Sequence, residues 1–372
     1  MTAPAARGRQ RIEFLDGLRG LAIVLVMLFH AYARWPDRVP YGAAYAGVPP
    51  LRYGWLGVEL FFLISGFVIF LTLEKTRNFP DFMTRRWLRL FPAMLICSAI
   101  VFASAPLLPE RPAGLPHWRD LLPGLSLIEP SWWGWLLESP QDVLEGAFWS
   151  LFVEVRFYAV AGCLYFWLGR DRTIAAIAML FGVALAYRVL HDVFPVARLH
   201  WLKLYVEITG AQYFGWFAAG ALYYEYAVHG RRATLCQAVA CAVLAALSTW
   251  YVDRGDNAGA IAAALLVVLV FSLAVCTRRV RAALSIRPLL WLGFVSYPLY
   301  LMHENALIAC IIGLGRAAPW LPAPLLPVAP ALALLALAWL VARYAEPRLR
   351  EWLRPLYDGG RRAIGAGRVA SV

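Results

Sequence analysis

An arginine and a histidine stand inside one of the most apolar stretches of the chain, DGLRGLAIVLVMLFH at residues 16–30. Arg19 and His30 are eleven positions apart, which is about 16 Å along a helix axis. The same spacing leaves them about 20° apart around the helix, so they share one face. Because burying an ionisable side chain within a bilayer costs several kcal/mol, we predict that both residues have functional roles, on one face of the first span.

Further polar residues interrupt other apolar stretches. Ser150, Glu154 and Tyr158 follow one another at intervals of four and therefore share a helix face. Glu59 and His303 also lie within apolar runs. Their depths, estimated from position within each stretch, fall near that of the histidine in the first span.

These residue types suit acid–base chemistry. The unperturbed pKa of histidine is about 6.5, so His30 can exchange a proton near neutral pH, and we predict that it is the general base. Glu59 or Glu154 would orient its ring, as carboxylates do in catalytic triads. His303 is a second catalytic candidate. A structural role for each of these side chains is the alternative.

A basic cluster precedes the third apolar stretch. Arg85 and Arg89 are four residues apart and share a helix face, with Arg86 beside them. Arginine forks pair well with phosphate groups. Anchoring at the cytoplasmic membrane surface would explain about two of these arginines. Adding Arg19, which lies inside an apolar stretch, favours a site for an anionic ligand.

The elements that must position these residues are transmembrane helices. Ten apolar stretches approach the length of about 20 residues that spans a bilayer. Their boundaries are 14–34, 54–73, 88–108, 148–168, 173–192, 210–228, 235–252, 258–276, 289–313 and 325–345. Most Lys and Arg residues fall on the inner side if the N-terminus is cytoplasmic, so we predict an all-α polytopic protein, N-in and C-in.

Composition agrees with this class. The chain has 372 residues, of which 61% are hydrophobic and 16% charged, and its mean hydropathy is +0.61. Its net charge of +12 is that of a positive-inside membrane protein, so we predict a bilayer and no nucleic acid as partner. The cysteines and histidines lack metal-ligand spacing, and we predict no metal. Residues 1–346 would form one membrane domain, and residues 347–372 a cytoplasmic basic tail.

Five blocks of sequence resemble the acyltransferase-3 family of membrane O-acyltransferases. They contain the Arg-x10-His spacing, the run GVELFFLISGF, the arginine cluster, WSLFVE with its tyrosine, and SYPLYLMH. The resemblance covers residues 12–346. The chain departs from the family pattern at Glu59, where Asp is frequent, and at Asn305, where many members have Pro.

The resemblance implies transfer of an acyl group from cytoplasmic acyl-CoA, most simply acetyl-CoA, to a hydroxyl group of a sugar, glycan or glycolipid outside. The donor phosphates would bind Arg19 and the arginine cluster. Acceptor contacts would come from residues within the same blocks, namely Asp16, Trp149, Ser150, Tyr158 and Tyr300. The membrane would be a bacterial-type inner membrane. A proton-coupled transporter or flippase is the alternative, and the sequence gives no oligomeric state.

Overall fold

The computed structural model describes residues 4–193, 200–251 and 257–355, and within these ranges the chain forms helices and turns without strands. Ten long helices follow the ten predicted spans. They are α1 (Pro4–Tyr32), α2 (Gly57–Leu73), α3 (Phe79–Ser104), α4 (Phe148–Leu168), α5 (Arg170–Val193), α6 (Phe214–His229), α7 (Arg232–Leu247), α8 (Asn257–Cys276), α9 (Arg287–Ala317) and α10 (Val328–Leu340).

Nine helices in the described ranges are long and apolar enough to cross a membrane, so the protein is an all-α, multi-pass membrane protein. The prediction of ten full spans differs at the sixth. There α6 has 16 residues, which is about 24 Å of helix against about 30 Å of hydrocarbon. A short 3₁₀ turn, Ala211–Tyr213, precedes it. The N-in and C-in orientation stays a prediction.

The chain divides into two compact units. The first contains residues 1–75 and 153–296, and the second contains residues 76–152 and 297–372. Of the predicted tail, residues 347–355 continue as helix beyond α10, and residues 356–372 lie outside the described ranges. The division into one membrane domain and a tail stays a prediction.

Glycines allow the helices of the first unit to touch at the backbone. A Cβ atom added at Gly66 of α2 would lie 2.1 Å from the carbonyl oxygen of Phe217 in α6. A Cβ atom at Gly220 of α6 would lie 2.1 Å from the carbonyl oxygen of Leu63 in α2. Small residues allow this close approach where lipid provides no hydrophobic force between helices. Each of the two helices therefore contributes a glycine to a close backbone contact with the other.

A second close approach joins α1 to the helices around it. A Cβ atom at Gly57 of α2 would lie 2.4 Å from the Ala22 carbonyl oxygen, midway along α1. Five residues earlier in α1, a Cβ atom at Gly17 would lie 1.8 Å from the carbonyl oxygen of Leu284. Leu284 ends a short helix, Arg278–Leu284, so that basic helix packs directly on α1 at Gly17.

The second unit joins α3 to α9. Helix α3 begins at an Asn78 cap, whose side-chain oxygen accepts from the Asp81 backbone N–H at 2.9 Å. The Tyr297 hydroxyl of α9 donates to the Leu90 carbonyl oxygen of α3 at 3.0 Å. Two short helices, Leu121–Ser126 and Pro130–Leu136, lie in the connection before α4.

Candidate functional site

His30 lies two residues before the end of α1. Its Nδ1 is 2.9 Å from the carbonyl oxygen of Val26, one helical turn earlier. Because a carbonyl oxygen can only accept, Nδ1 carries the proton and donates it. In the neutral ring, Nε2 therefore carries the lone pair that a general base or a nucleophile needs. Sequence analysis predicted that a carboxylate would accept this hydrogen bond. The spacing of residues does not show that the Val26 carbonyl oxygen accepts it instead.

Arg19 lies near the middle of α1, about 16 Å from the histidine along the axis. Its Nη1 donates to Asp16 Oδ1 at 2.5 Å, one turn earlier. The Arg19 side chain is 18% exposed and that of Asp16 is 40% exposed. Asp16 was predicted to bind the acceptor, and its described partner is this guanidinium.

Glu154 is held by two hydroxyl groups. Ser65 of α2 and Tyr158 of α4 both donate to its Oε1. The contact with Tyr158 confirms that the two residues share a helix face, as their spacing predicts. The arrangement can hold a carboxylate in place for acid–base chemistry, and the catalytic role of Glu154 stays a prediction.

Glu59 lines a small polar cavity of the first unit. The cavity has a volume of about 20 Å³, room for about one water molecule. Arg188, Gln212, Tyr213 and Thr249 also line it. Glu59 is 2% exposed, and within the described ranges its buried Oε2 and the Gln212 Oε1 have no hydrogen-bond partner. The described contacts of Glu59 do not include the imidazole that it was predicted to orient.

Two of the predicted phosphate-binding arginines, Arg85 and Arg86, contact residues of the second unit, to which they belong. Arg85 Nε donates to Asp81 Oδ1 at 3.3 Å. Arg86 is buried, and its Cζ lies 5.8 Å from the centre of the Phe82 ring. Arg85 is 40% exposed and is therefore open to a ligand on its outer side. The sequence analysis did not identify Asp81 as the acidic partner within this basic block.

Ser150 and Tyr300 join α4 to α9. Their hydroxyl oxygens are 2.7 Å apart, and the Tyr300 hydroxyl also lies 2.9 Å from the carbonyl oxygen of Ala147. Both residues are buried, whereas Trp149 is 40% exposed. The structure thus brings together two of the residues predicted to bind the acceptor. Their roles in binding stay predictions.

His303 is fully buried in α9. Its Nδ1 is 2.9 Å from the Tyr300 carbonyl oxygen, so this nitrogen also donates to backbone and leaves a lone pair on Nε2. The second unit therefore holds an imidazole in the same protonation arrangement as His30 of the first unit.

A buried polar cluster beside it was not predicted from the sequence. Asn305 donates to Glu145 Oε2 from its backbone N–H and from its amide, and its Oδ1 accepts from the Ala113 N–H, each at 2.9 Å. Arg111 donates to the Leu144 carbonyl oxygen at 3.0 Å and lies 3.9 Å from Glu145. Burial raises the pKa of Glu145 to about 8 and lowers that of Arg111.

The described residues contain no group of three His, Cys, Asp or Glu side chains that could hold a metal ion. The candidate site therefore consists of imidazoles, carboxylates, hydroxyls and guanidinium groups. These groups suit proton transfer and the recognition of anions.

Comparison with known proteins gives the family. The model described as an acyltransferase domain matches residues 12–343, nearly the whole chain. The chain belongs to the acyltransferase-3 family. The match starts before Asp16 and Arg19 and ends after His303. This membership confirms the resemblance seen in the sequence, and the matched model is that of an acyltransferase domain.

Individual relatives match this acyltransferase over shorter segments. Acyltransferase MdmB of Streptomyces mycarofaciens is 31% identical over 157 residues, which are 40% of this chain and 38% of the relative. A Staphylococcus aureus (strain COL) protein named as an O-acetyltransferase is 27% identical over 159 residues, which are 40% and 23% of the two chains. A Komagataeibacter xylinus protein, BcsY, is named as a membrane-bound transacylase and is 37% identical over 97 residues, which are 26% and 21%.

The matched segments thus span well under two thirds of each relative's length. No solved structure is significantly similar to this acyltransferase.

Proposed function

We propose that this acyltransferase moves an acyl group, most simply acetyl, from cytoplasmic acyl-CoA to a hydroxyl group of a sugar, glycan or glycolipid. The membrane would be a bacterial-type inner membrane, with both chain ends in the cytoplasm and the acceptor on the outer side. The observation that carries the proposal is the His30 ring, whose Nδ1 donates to Val26 and whose Nε2 is thereby the basic nitrogen. Family membership supports the acyl-transfer chemistry.

The reaction needs one proton acceptor. In direct transfer, the acceptor oxygen attacks the thioester carbonyl carbon while His30 Nε2 takes the hydroxyl proton. The new C–O bond forms as the C–S bond breaks, and the departing thiolate receives the proton from the imidazolium. In the covalent alternative, Nε2 attacks the carbonyl carbon and the C–S bond breaks, which releases the CoA thiolate. The acceptor oxygen then attacks the acyl-imidazole carbon, the C–N bond breaks to return the imidazole, and the hydroxyl proton passes to the thiolate.

Arg19 would serve the donor side. It shares a helix face with His30 and lies about 16 Å from it along α1, so one helix would hold a phosphate group and the reacting thioester at separate depths. Arg85, Arg86 and Arg89 would supply further positive charge. Arginine suits this role because its guanidinium stays charged and binds phosphate with two parallel hydrogen bonds.

The acceptor side would use hydroxyl and carboxylate groups. Glu154, already held by Ser65 and Tyr158, would accept a hydrogen bond from an acceptor hydroxyl. Ser150 and Tyr300 offer a hydroxyl pair of the same kind. Relatives named as an O-acetyltransferase and a transacylase support an oxygen acceptor.

The test is donor-dependent chemistry by the purified protein in lipid nanodiscs. Incubation with acetyl-CoA labelled in the acetyl group should release CoA slowly, and addition of a bacterial envelope glycan fraction should give labelled glycan. A labelled histidine peptide after incubation with donor alone would indicate the covalent route. If the protein neither consumes acetyl-CoA nor labels glycan, the proposed reaction is wrong.

A further inference from the structure

A second and larger cavity lies at the opposite end of α6 from the Glu59 cavity, within the first unit. Its volume is about 370 Å³, within the range of small-molecule sites, which is about 300–1,000 Å³. The lining includes Phe14, Phe67, Tyr226, His229, Cys276 and Arg281. Aromatic rings, an imidazole and a guanidinium thus face one space that is large enough for a ligand.

The position of this cavity is on the predicted cytoplasmic side. It lies where α6 and α8 end, and its lining residue Phe14 lies five residues before Arg19 in α1. The short helix Arg278–Leu284, which carries Arg281, packs on α1 at Gly17. Arg19 is two residues farther along α1. The cavity and the proposed donor-phosphate residue therefore lie on neighbouring elements.

The charge at this end favours an anionic ligand. Glu74, at the end of α2, and Glu225, in α6 beside the lining residue Tyr226, both pair with Arg170. His229 Nε2 lies 3.0 Å from Arg170 Nη2 and 3.6 Å from Glu225. Arg281 donates to the Val275 carbonyl oxygen at 3.2 Å, and none of its contacts within the described ranges is to a carboxylate. Its positive charge remains available to the cavity.

The lining of this cavity also contains aromatic rings. The Phe14 and Phe67 rings meet edge to face with centroids 6.4 Å apart, and Phe67 packs in the same way on Tyr224 with centroids 5.4 Å apart. Purine rings stack on aromatic side chains, and phosphates pair with arginine. A nucleotide combines the two features that this lining offers.

We propose that this cavity binds the nucleotide part of the acyl donor, with the aromatic rings beside the base and Arg281 against a phosphate group. The inference rests on the proposed function and deepens it, because it gives the donor a second binding region in addition to Arg19. The pantetheine arm would then extend from the cavity along α1 toward His30.

The experiment compares two donors that carry the same acetyl thioester. Acetyl-CoA has the nucleotide, and S-acetylpantetheine lacks it. The unmodified protein should prefer acetyl-CoA through a lower KM. In Arg281→Gln this preference should fall by about tenfold or more, because a phosphate contact is lost while the thioester contacts remain. The KM for S-acetylpantetheine should not change.

Arg279→Gln is the matched control, since Arg279 is exposed on the same short helix and does not line the cavity. Cys276→Phe is a second variant, which fills the cavity from an exposed position and should also abolish the preference. It keeps the test decisive if Arg281→Gln fails to fold. Adenosine 3′,5′-bisphosphate should compete with acetyl-CoA in the unmodified protein and in Arg279→Gln only.

An unchanged donor preference in both Arg281→Gln and Cys276→Phe would overturn the inference while leaving the proposed reaction intact. Thermal stabilisation by phosphatidylglycerol vesicles but not by adenosine 3′,5′-bisphosphate would also overturn it, because the cavity would then be a lipid site. If neither donor is consumed yet the bisphosphate stabilises the unmodified protein and not Arg281→Gln, the nucleotide site stands and the proposed reaction fails.

Discussion

Asn305 donates two hydrogen bonds to one carboxylate oxygen of Glu145, one from its backbone N–H and one from its amide. The contact joins the middle of α9 to the residues just before α4. Since both side chains are almost fully buried, water cannot replace either bond. These two hydrogen bonds hold α9 to the residues before α4 at a point two residues from His303. They therefore stabilise this part of α9.

Replacing Asn305 with Ala should destabilise the second unit. The variant removes the side-chain donor to Glu145 and the acceptor for the Ala113 N–H. Loss of a buried partner costs about 1–3 kcal/mol. The measurement is the midpoint of thermal unfolding in nanodiscs, followed by tryptophan fluorescence. A melting temperature equal to that of the unmodified protein would contradict the importance of this contact.

The stability of the same cluster should fall as pH rises. The pKa of Glu145 is raised by burial from 4.5 to about 8, with Glu304 raising it further and Arg111 opposing. The folded state therefore binds the proton more tightly, and the contribution is complete below pH 4.5 and lost as pH rises through about 8. Between these values it falls by about 1.4 kcal/mol per pH unit.

Melting temperatures at pH 6 and pH 9 would measure this effect. Glu145→Gln mimics the protonated side chain and should lose the corresponding part of the pH dependence. Glu138→Gln, which changes an exposed residue of the same connection, should keep it. Identical pH profiles for the unmodified protein and Glu145→Gln would show that Glu145 does not titrate in this range.

Replacing His30 with Ala should abolish acyl transfer without unfolding the protein. General acid–base catalysis contributes about 10²–10⁴-fold, so turnover of acetyl-CoA should fall by at least the lower figure. His191→Ala is the control, since His191 is exposed at the end of α5. Turnover within about twofold of the unmodified protein would remove His30 from the mechanism.

Replacing Arg19 with Gln should weaken donor binding more than the chemical step. The KM for acetyl-CoA should rise about tenfold, as expected for the loss of one charge-assisted contact, with a smaller change in kcat. Arg172→Gln, at an exposed position of α5, should leave both constants unchanged. An unaltered KM in Arg19→Gln would assign Arg19 to membrane anchoring instead.

The glycine contact between α2 and α6 predicts that the effect of a Gly-to-Ala substitution on stability depends strongly on its position. Gly66→Ala would place a methyl group 2.1 Å from the Phe217 carbonyl oxygen, and the helices would have to separate. Such overpacking costs about 1–3 kcal/mol. Gly182→Ala in α5 meets nothing within 4 Å and should be neutral or stabilising. Equal melting temperatures for the two variants would rule out the tight contact.

The helices could be predicted because hydropathy over about 20 residues reports bilayer thickness directly. The same signal overestimated the length of the sixth span, because the turn that contains the polar residue Gln212 shortens α6. The spacing of Glu154 and Tyr158 predicted their shared face, since helical period is a local property. Ser65, the other donor to Glu154, is 89 residues away, and periodicity carries no information on such a pairing.

The polar clusters were harder to predict for the same reason. Sequence analysis selected neither Arg111 nor Glu145, and it noted Asn305 only as a departure from the family pattern. Their burial follows from how the connection folds back within its unit. The Val26 carbonyl oxygen was not predicted as the hydrogen-bond acceptor because every residue has a backbone carbonyl. Only the side-chain rotamer of His30 determines whether its ring donates to this one.

The shortness of α6 has a consequence for transport of the acyl group. A helix of 16 residues is about 24 Å long, and each of its ends borders a cavity, one with Glu59 and Arg188 and one with His229 and Arg281. Water entering both cavities would leave a hydrocarbon layer beside α6 that is thinner than the surrounding bilayer core. An acetyl group crossing beside α6 would therefore travel less than the full thickness of the hydrocarbon core.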